Sequence, residues 1–390
     1  MTETEVVDIL MFVQQSHMLE ELEFDGCLLP FTFSSESIPA DLQSRNIKVL
    51  WSNYGYSLDL QSGIWKVNED IVRKLCTKDI YIRGNHSEIQ QRRTIQLLEN
   101  ASNYGIPISC LYLWMSFNKI DAGNVILQSG LRLSCPVSVK KVVILTEKGR
   151  EMTETEVADI LMFVQLSRML KKLEFDGYLL PLTFSSESIP AELLSRNIKV
   201  FWFNYGYSLD LQSGIWKVNE DAVRKRCTKD IHIQGCDSEL QKRRTIQLLE
   251  NASNYDIPIS CLYLYKSFSK IDAGEVILHS GLRLLCPATV KKILINTSGE
   301  GREMTETEVI DILMFVQQSR MLEELEFEWC LLSKSIPAES IPSILKSRNV
   351  KVSWGPNFLL LYTMNLQSGR WMDVDTSQEI IDTEYNDEVG

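Results

Sequence analysis

The sequence predicts an α/β solenoid with a parallel sheet along its concave side and a mostly helical convex side. Two observations predict it. The segment MTETEVVDILMFVQ at Met1 returns almost letter for letter at Met152 and Met304, which divides the chain into blocks 1–151, 152–303 and 304–370. Copies of one unit must bury one another's apolar faces in the same way each time, so the expected outcome is a stack. Within the blocks, short apolar runs are centred on Leu22, Val49, Ile80, Leu111, Val142, Leu173, Val200, Ile231, Leu262, Ile293, Leu325 and Val352. Their steps are 27 or 31 residues, with a single step of 32 after INTSGEGREM. That makes about twelve units of about 30 residues over 1–355, followed by a divergent end at 356–390.

Each run predicts a strand. Alternation places Leu22 and Phe24 on one face and Glu23 and Asp25 on the other, as a half-buried strand requires. The segments between runs change period. At the start of the block, Thr2 stands as N-cap with Glu5 three residues on, and Val6, Ile9, Leu10 and Val13 follow at helical spacing. SEIQQRRTIQLLENA from Ser87 predicts a second helix with Ile89, Ile95 and Leu98 inward. IPADLQSR and NEDIVRKL predict short helices, and DAGNVILQSGLRL fits a helix or an irregular segment.

The run LEELEFDGCLL carries the pattern LxxLxLxxN/CxL through Leu19, Leu22, Phe24, Cys27 and Leu29, and block three repeats it from Leu322 to Leu332. IYIRGN puts Asn85 in the polar slot, where its copy IHIQGC has Cys236. An Asn amide or a thiol there is expected to satisfy backbone groups buried in the turn. On these residues the chain resembles a leucine-rich-repeat protein, and its unit length and helical connections resemble the ribonuclease-inhibitor-like subclass. That subclass also forms the sensor region of NACHT-containing intracellular immune receptors. The resemblance implies a protein-binding module in innate immunity. Departures are Tyr178 in the slot of Cys27, and Ser116 and Glu147 in two other units.

Composition excludes several functions. A net charge of −12 disfavours nucleic acid, whose phosphates need clustered Lys and Arg. The basic runs QQRRT and QKRRT are expected on a solvated outer helix face. No apolar stretch is long enough to span a membrane and the first residues are polar, so a cytoplasmic location is expected. Nine cysteines occur without a CxxC pair; Cys76, Cys110 and Cys135 recur as Cys227, Cys261 and Cys286, and are expected to be reduced core residues. The sequons at Asn85, Asn100, Asn251 and Asn296 then read as chance matches.

The blocks are also internal comparisons for chemistry. His17, His86, His232 and His279 are each replaced in another copy, by Arg168, Asp237, Tyr81 and Gln128. No His, Cys and carboxylate stand at metal spacing, and the lone GxG at Gly299 and Gly301 is a weak phosphate signal. No catalytic residue, cofactor or metal is expected.

What remains is the face made by the outward strand residues. Stacking puts the residue after each run centre in one row, from Glu23 and Leu50 through Tyr81 to Glu326. Tyr81, Arg83, Tyr112 and Trp114 are expected to form one cluster, and Phe201, Phe203, Tyr263 and Tyr265 its counterpart. Tyr, Trp and Arg are the usual hot-spot residues of interfaces, so a protein partner is expected on this concave face. Asp25, Glu174 and Asp176 are expected to steer it. A solenoid also needs a cap over its first apolar face. Because Met1 aligns with the internal Met152, the expectation is a fragment of a longer receptor or an end covered by a partner.

Overall fold

The computed structural model describes the chain apart from residues 26, 28, 30–33, 46, 115–116, 122, 182–184, 273, 297–301, 333–334, 356–361 and 374–390. Ser116, Gly299, Gly301 and the acidic end of the tail therefore lie outside the described residues, as does the side chain of Glu147. Two compact units are present, 1–202 with 209–216, and 203–208 with 217–390.

Twelve strands carry the run centres: β1 (Glu21–Phe24), β2 (Lys48–Trp51), β3 (Asp79–Arg83), β4 (Cys110–Trp114), β5 (Lys141–Glu151), β6 (Lys172–Leu179), β7 (Lys199–Trp202), β8 (Ile231–Gln234), β9 (Ile259–Tyr265), β10 (Val290–Asn296), β11 (Glu324–Glu328) and β12 (Lys351–Gly355). Their pairing is parallel and the centres face one another. Leu22 lies opposite Val49. Ile80, Leu111, Val142, Leu173 and Val200 form one register row. Ile231, Leu262, Ile293, Leu325 and Val352 form another. All but Leu22 in these rows are buried, which is what fixes the register: a slip by one residue would send the whole apolar set to the other face.

The strands do not join into one sheet. Among the described residues the ladder strands fall into three sheets, β1–β2, β3–β7 and β8–β12, and Val49 does not pair with Ile80. The cause is an antiparallel hairpin in each block. Strand Tyr56–Asp59 takes the second edge of β2, with Val49 opposite Leu58, and Ile64–Val67 pairs outside it. The hairpin Tyr207–Asp210 and Ile215–Val218 follows β7 in the same order. Tyr362–Asn365 and Arg370–Asp373 follow β12, so the third sheet continues past residue 355. At Gly55 and Gly206 φ is +79° and +73°, and a Cβ would run into Val72 and Val223, so only glycine closes the turn from ladder strand to hairpin.

The helices follow their caps. Helix α1 (Glu3–Val13), α4 (Glu154–Val164) and α7 (Glu306–Val316) each start with a capping box, Thr2 with Glu5, Thr153 with Glu156 and Thr305 with Glu308. Helices α2 (Glu69–Cys76) and α5 (Glu220–Cys227) are capped by Asn68 and Asn219. Helices α3 (Glu88–Asn103) and α6 (Glu239–Asn254) are the longest, with capping boxes at Ser87 and Ser238. Phe163 and Phe315 are fully buried, whereas Phe12 at the same place in α1 is 75% exposed.

Several expectations need correction. DAGNVILQSGLRL is neither helix nor irregular: Phe117–Asp121, Asn124–Leu127 and Arg132–Ser134 form an antiparallel meander, and block two repeats it. Val125 and Leu127 face inward and Gly123 and Gly130 take the turns at positive φ. Ile89 is exposed. The basic runs are only half solvated. Arg92 pairs with Glu88 in solvent, but Arg93 is buried with its guanidinium 5.1 Å from the Trp51 ring. Of the nine thiols, all free, Cys236 is exposed and Cys27 half-buried. The side chains of Asn85 and Cys236 are exposed, so the proposed satisfaction of a buried turn does not operate there. In the other slot the backbone matters instead. The carbonyls of Cys27, Tyr178 and Cys330 accept the indole N–H of Trp51, Trp202 and Trp354.

Candidate functional site

The ladder places the residue after each run centre in a cross-strand row. One row reads Tyr81, Tyr112, Val143, Glu174, Phe201. The other reads His232, Tyr263, Leu294, Glu326, Ser353. Adjacent strands lie about 4.8 Å apart, so planar side chains in neighbouring places stack. Tyr81 and Tyr112 do so at 4.5 Å and 15°. His232 and Tyr263 do so at 4.5 Å and 19°. The next row sets Arg83 beside Trp114, and Gln234 beside Tyr265. The guanidinium carbon of Arg83 lies 5.3 Å from the Tyr81 ring centre and 5.1 Å from that of Trp114. Trp114 is 42% exposed and Tyr265 41% exposed.

Tyr81, Arg83, Tyr112 and Trp114 are thus brought together as expected. Phe201 lies on β7 and Tyr263 and Tyr265 on β9, in different sheets, and Phe203 leaves the ladder in a 3-10 turn at Phe203–Tyr205. Phe201 instead meets the Lys172 ammonium at 4.6 Å, and Phe203 meets Lys225 and Lys229 at 5.1 Å and 5.6 Å. His232 is the partner that sequence reasoning left out of the cluster. Its signal was available, since it is the block-two copy of Tyr81.

Parts of the rows expected to face solvent are buried: Val143, Glu174, Leu294 and Glu326. Lysines close over the two glutamates. Glu174 is held between Lys141 at 2.6 Å and Lys172 at 2.5 Å. Burial works against its ionisation, but the two ammonium hydrogen bonds outweigh that and keep its carboxyl below the usual range. In the third sheet Lys292 takes this part, bridging Glu326 at 2.7 Å and Glu324 at 3.1 Å. Glu174 is therefore a neutralised structural charge and not a steering one, which corrects the expectation. Burial, reinforced by the Cys110 thiol, pushes the Tyr112 hydroxyl up, and burial raises Cys110 to about 11. Both are neutral at physiological pH.

Elsewhere, β1 and β2 border a small cleft of about 190 Å³ with Glu21, Glu23 and Asp25 facing Lys74 and Lys78. Two equivalent cavities of about 320 and 340 Å³ lie beside Cys135 and Cys286. Burial pushes both thiols up, so they are poor nucleophiles. Among the described residues, no group of three or more His, Cys, Asp or Glu is placed to hold a metal. No described helix is long and apolar enough to cross a membrane.

No protein-family model, no curated protein and no solved structure matches the chain.

Proposed function

We propose that the chain is a protein-binding repeat module whose units stack as an α/β solenoid of the leucine-rich-repeat type, and that it recognises its partner through the ladder face. The observation that carries this reading is the paired ring stack, Tyr81 on Tyr112 and His232 on Tyr263. Beside these stacks stand two exposed rings, Trp114 and Tyr265. Large aromatic side chains left in solvent on a strand whose other face is the core supply rigid contact area at low entropic cost. The module binds and does not catalyse, in the cytoplasm, as the sensor region of an innate immune receptor. The second reading is a stand-alone inhibitor or scaffold, or the substrate-recognition part of a ubiquitin ligase. The test is partner capture with Tyr112, Trp114, Tyr263 and Tyr265 changed together to Ala. Loss of capture with a preserved thermal transition supports the reading. Retained capture, with loss on charge reversal of α3 and α6, overturns it.

A further inference from the structure

Arg83 differs from the exposed arginines of the described helices α2, α3 and α6. Arg73, Arg92 and Arg243 each pair with a glutamate one helical turn away, at 2.6, 2.7 and 2.8 Å. Among the described residues no carboxylate pairs with Arg83, and its guanidinium lies against the two rings that flank it. Those rings limit its rotamers, so little further order is lost when its planar donor fork meets a carboxylate. The neighbouring cation does not compete. Lys141, 6.0 Å from the Tyr112 ring, is already engaged by Glu174.

The third sheet provides the control. The same stack occurs there, but Gln234 stands in the place of Arg83 and its row continues through Tyr265 and Asn296 to Glu328. Asn296 donates to the Glu328 carboxylate at 3.4 Å. Two platforms of one geometry thus differ in charge. The chain carries −12 overall, but at physiological salt charges beyond about 8 Å are largely screened, so the local cation decides what lands beside it.

We propose that Arg83, framed by Tyr81, Tyr112 and Trp114, is the anchor for an acidic side chain of a protein partner. The partner segment carries a Glu or Asp next to an apolar residue. Its carboxylate takes the guanidinium and its apolar neighbour lies on Trp114, while the β8–β9 platform rejects the same segment. This rests on the ladder-face reading above and adds the chemistry of the partner.

The test uses the full chain with isotope-labelled tryptophan and follows the Trp114 indole N–H, assigned with Trp114→Phe. The probe is the capped peptide acetyl-Gly-Leu-Glu-Leu-Gly-amide. Saturable shifts of Trp114 are expected, at least about tenfold weaker for the Gln version of the peptide and for Arg83→Gln, with Arg83→Lys in between. The Gln peptide with a free C-terminus separates a side-chain carboxylate from a terminal one and is expected to bind as weakly as its capped form. A Gln234→Arg, Tyr265→Trp chain is expected to gain a second site reported by the new indole. Equal binding of the Glu and Gln peptides, no saturation, or no effect of Arg83→Gln at an unchanged thermal transition overturns the proposal. If the peptide fails while the fourfold Ala variant still loses its protein partner, the inference falls and the ladder-face reading stands.

Discussion

The indole N–H of Trp202 donates to the carbonyl oxygen of Tyr178 at 2.8 Å, and both side chains are fully buried. Trp51 makes the same bond to Cys27 at 3.0 Å, and Trp354 to Cys330 at 2.7 Å. Once in each block, the turn after a ladder strand is thus pinned by the tryptophan of the next ladder strand through a main-chain group. This explains why Tyr can stand in a Cys slot. Trp202→Phe should cost about 1–3 kcal/mol, the usual penalty for a buried acceptor left without its donor. Cys27→Ala should cost less than Trp51→Phe in chemical denaturation, because it leaves the carbonyl in place. The reverse order would return the role to the thiol.

Leu111 is fully buried with Ile80 and Val142 as strand partners, and Tyr112 beside it is half-buried on the other face. Leu111→Ala should lower stability by about 2–5 kcal/mol through the cavity it leaves. Tyr112→Ala should cost less but not nothing, because it removes a ring stack of about 0.5–1.5 kcal/mol. Urea midpoints of the two variants measure the difference. Equal losses would mean that both faces of β4 are core.

The Glu174 carboxyl lies below its ordinary value of 4.5. A depressed acid stabilises the folded chain above its unfolded pKa, and that contribution fades as pH falls through the folded value. Glu174→Gln should therefore cost stability at pH 7 and progressively less as pH falls below the usual carboxylate range. The lysine side chains are about one-third exposed or less and Glu174 is buried. The loss should lie between that of a surface pair and that of a dry one, about 1–2 kcal/mol. Thermal melts of both chains across this range read it out, and a difference that does not change with pH would assign Glu174 a packing role alone.

Thiol labelling tests the placement of the cysteines. Cys236 is exposed and Cys27 half-buried, whereas burial raises Cys76 and Cys227 to about 11 and Cys261 to about 12. In the native chain at pH 8, Cys236 should react within minutes, Cys27 more slowly, and the others only on unfolding. Rapid modification of Cys135 or Cys286 would show that their cavities open to solvent.

The strand centres were legible because burial of one face and a period of two leave a single register, as at Leu111, Val142 and Leu173. Helix starts were legible because Thr2 and Glu5 carry their own capping chemistry. The breaks in the ladder were not. The step from Val49 to Ile80 is 31 residues, the same as the step from Ile80 to Leu111 that does pair. Spacing measures unit length and is blind to a hairpin that occupies an edge. The meander was hidden because a three-residue apolar run such as Val125–Leu127 fits either period. Arg93 was missed because two adjacent arginines look alike in sequence, yet on a helix they point about 100° apart and only one meets Trp51. The outward rows were half legible. Positions followed from register, but the lysine cover over Glu174 depended on side-chain reach.

The proposed recognition puts the partner on the ladder face and not on the helices. Hydroxyl-radical footprinting of the captured complex tests it with internal controls. Trp114 and Tyr265 on the ladder are 42% and 41% exposed, while Tyr104 and Tyr255 at the ends of α3 and α6 are 51% and 45% exposed. The partner should lower oxidation of Trp114 and Tyr265 and leave Tyr104 and Tyr255 unchanged. Protection of Tyr104 and Tyr255 with full oxidation of the ladder rings would contradict it.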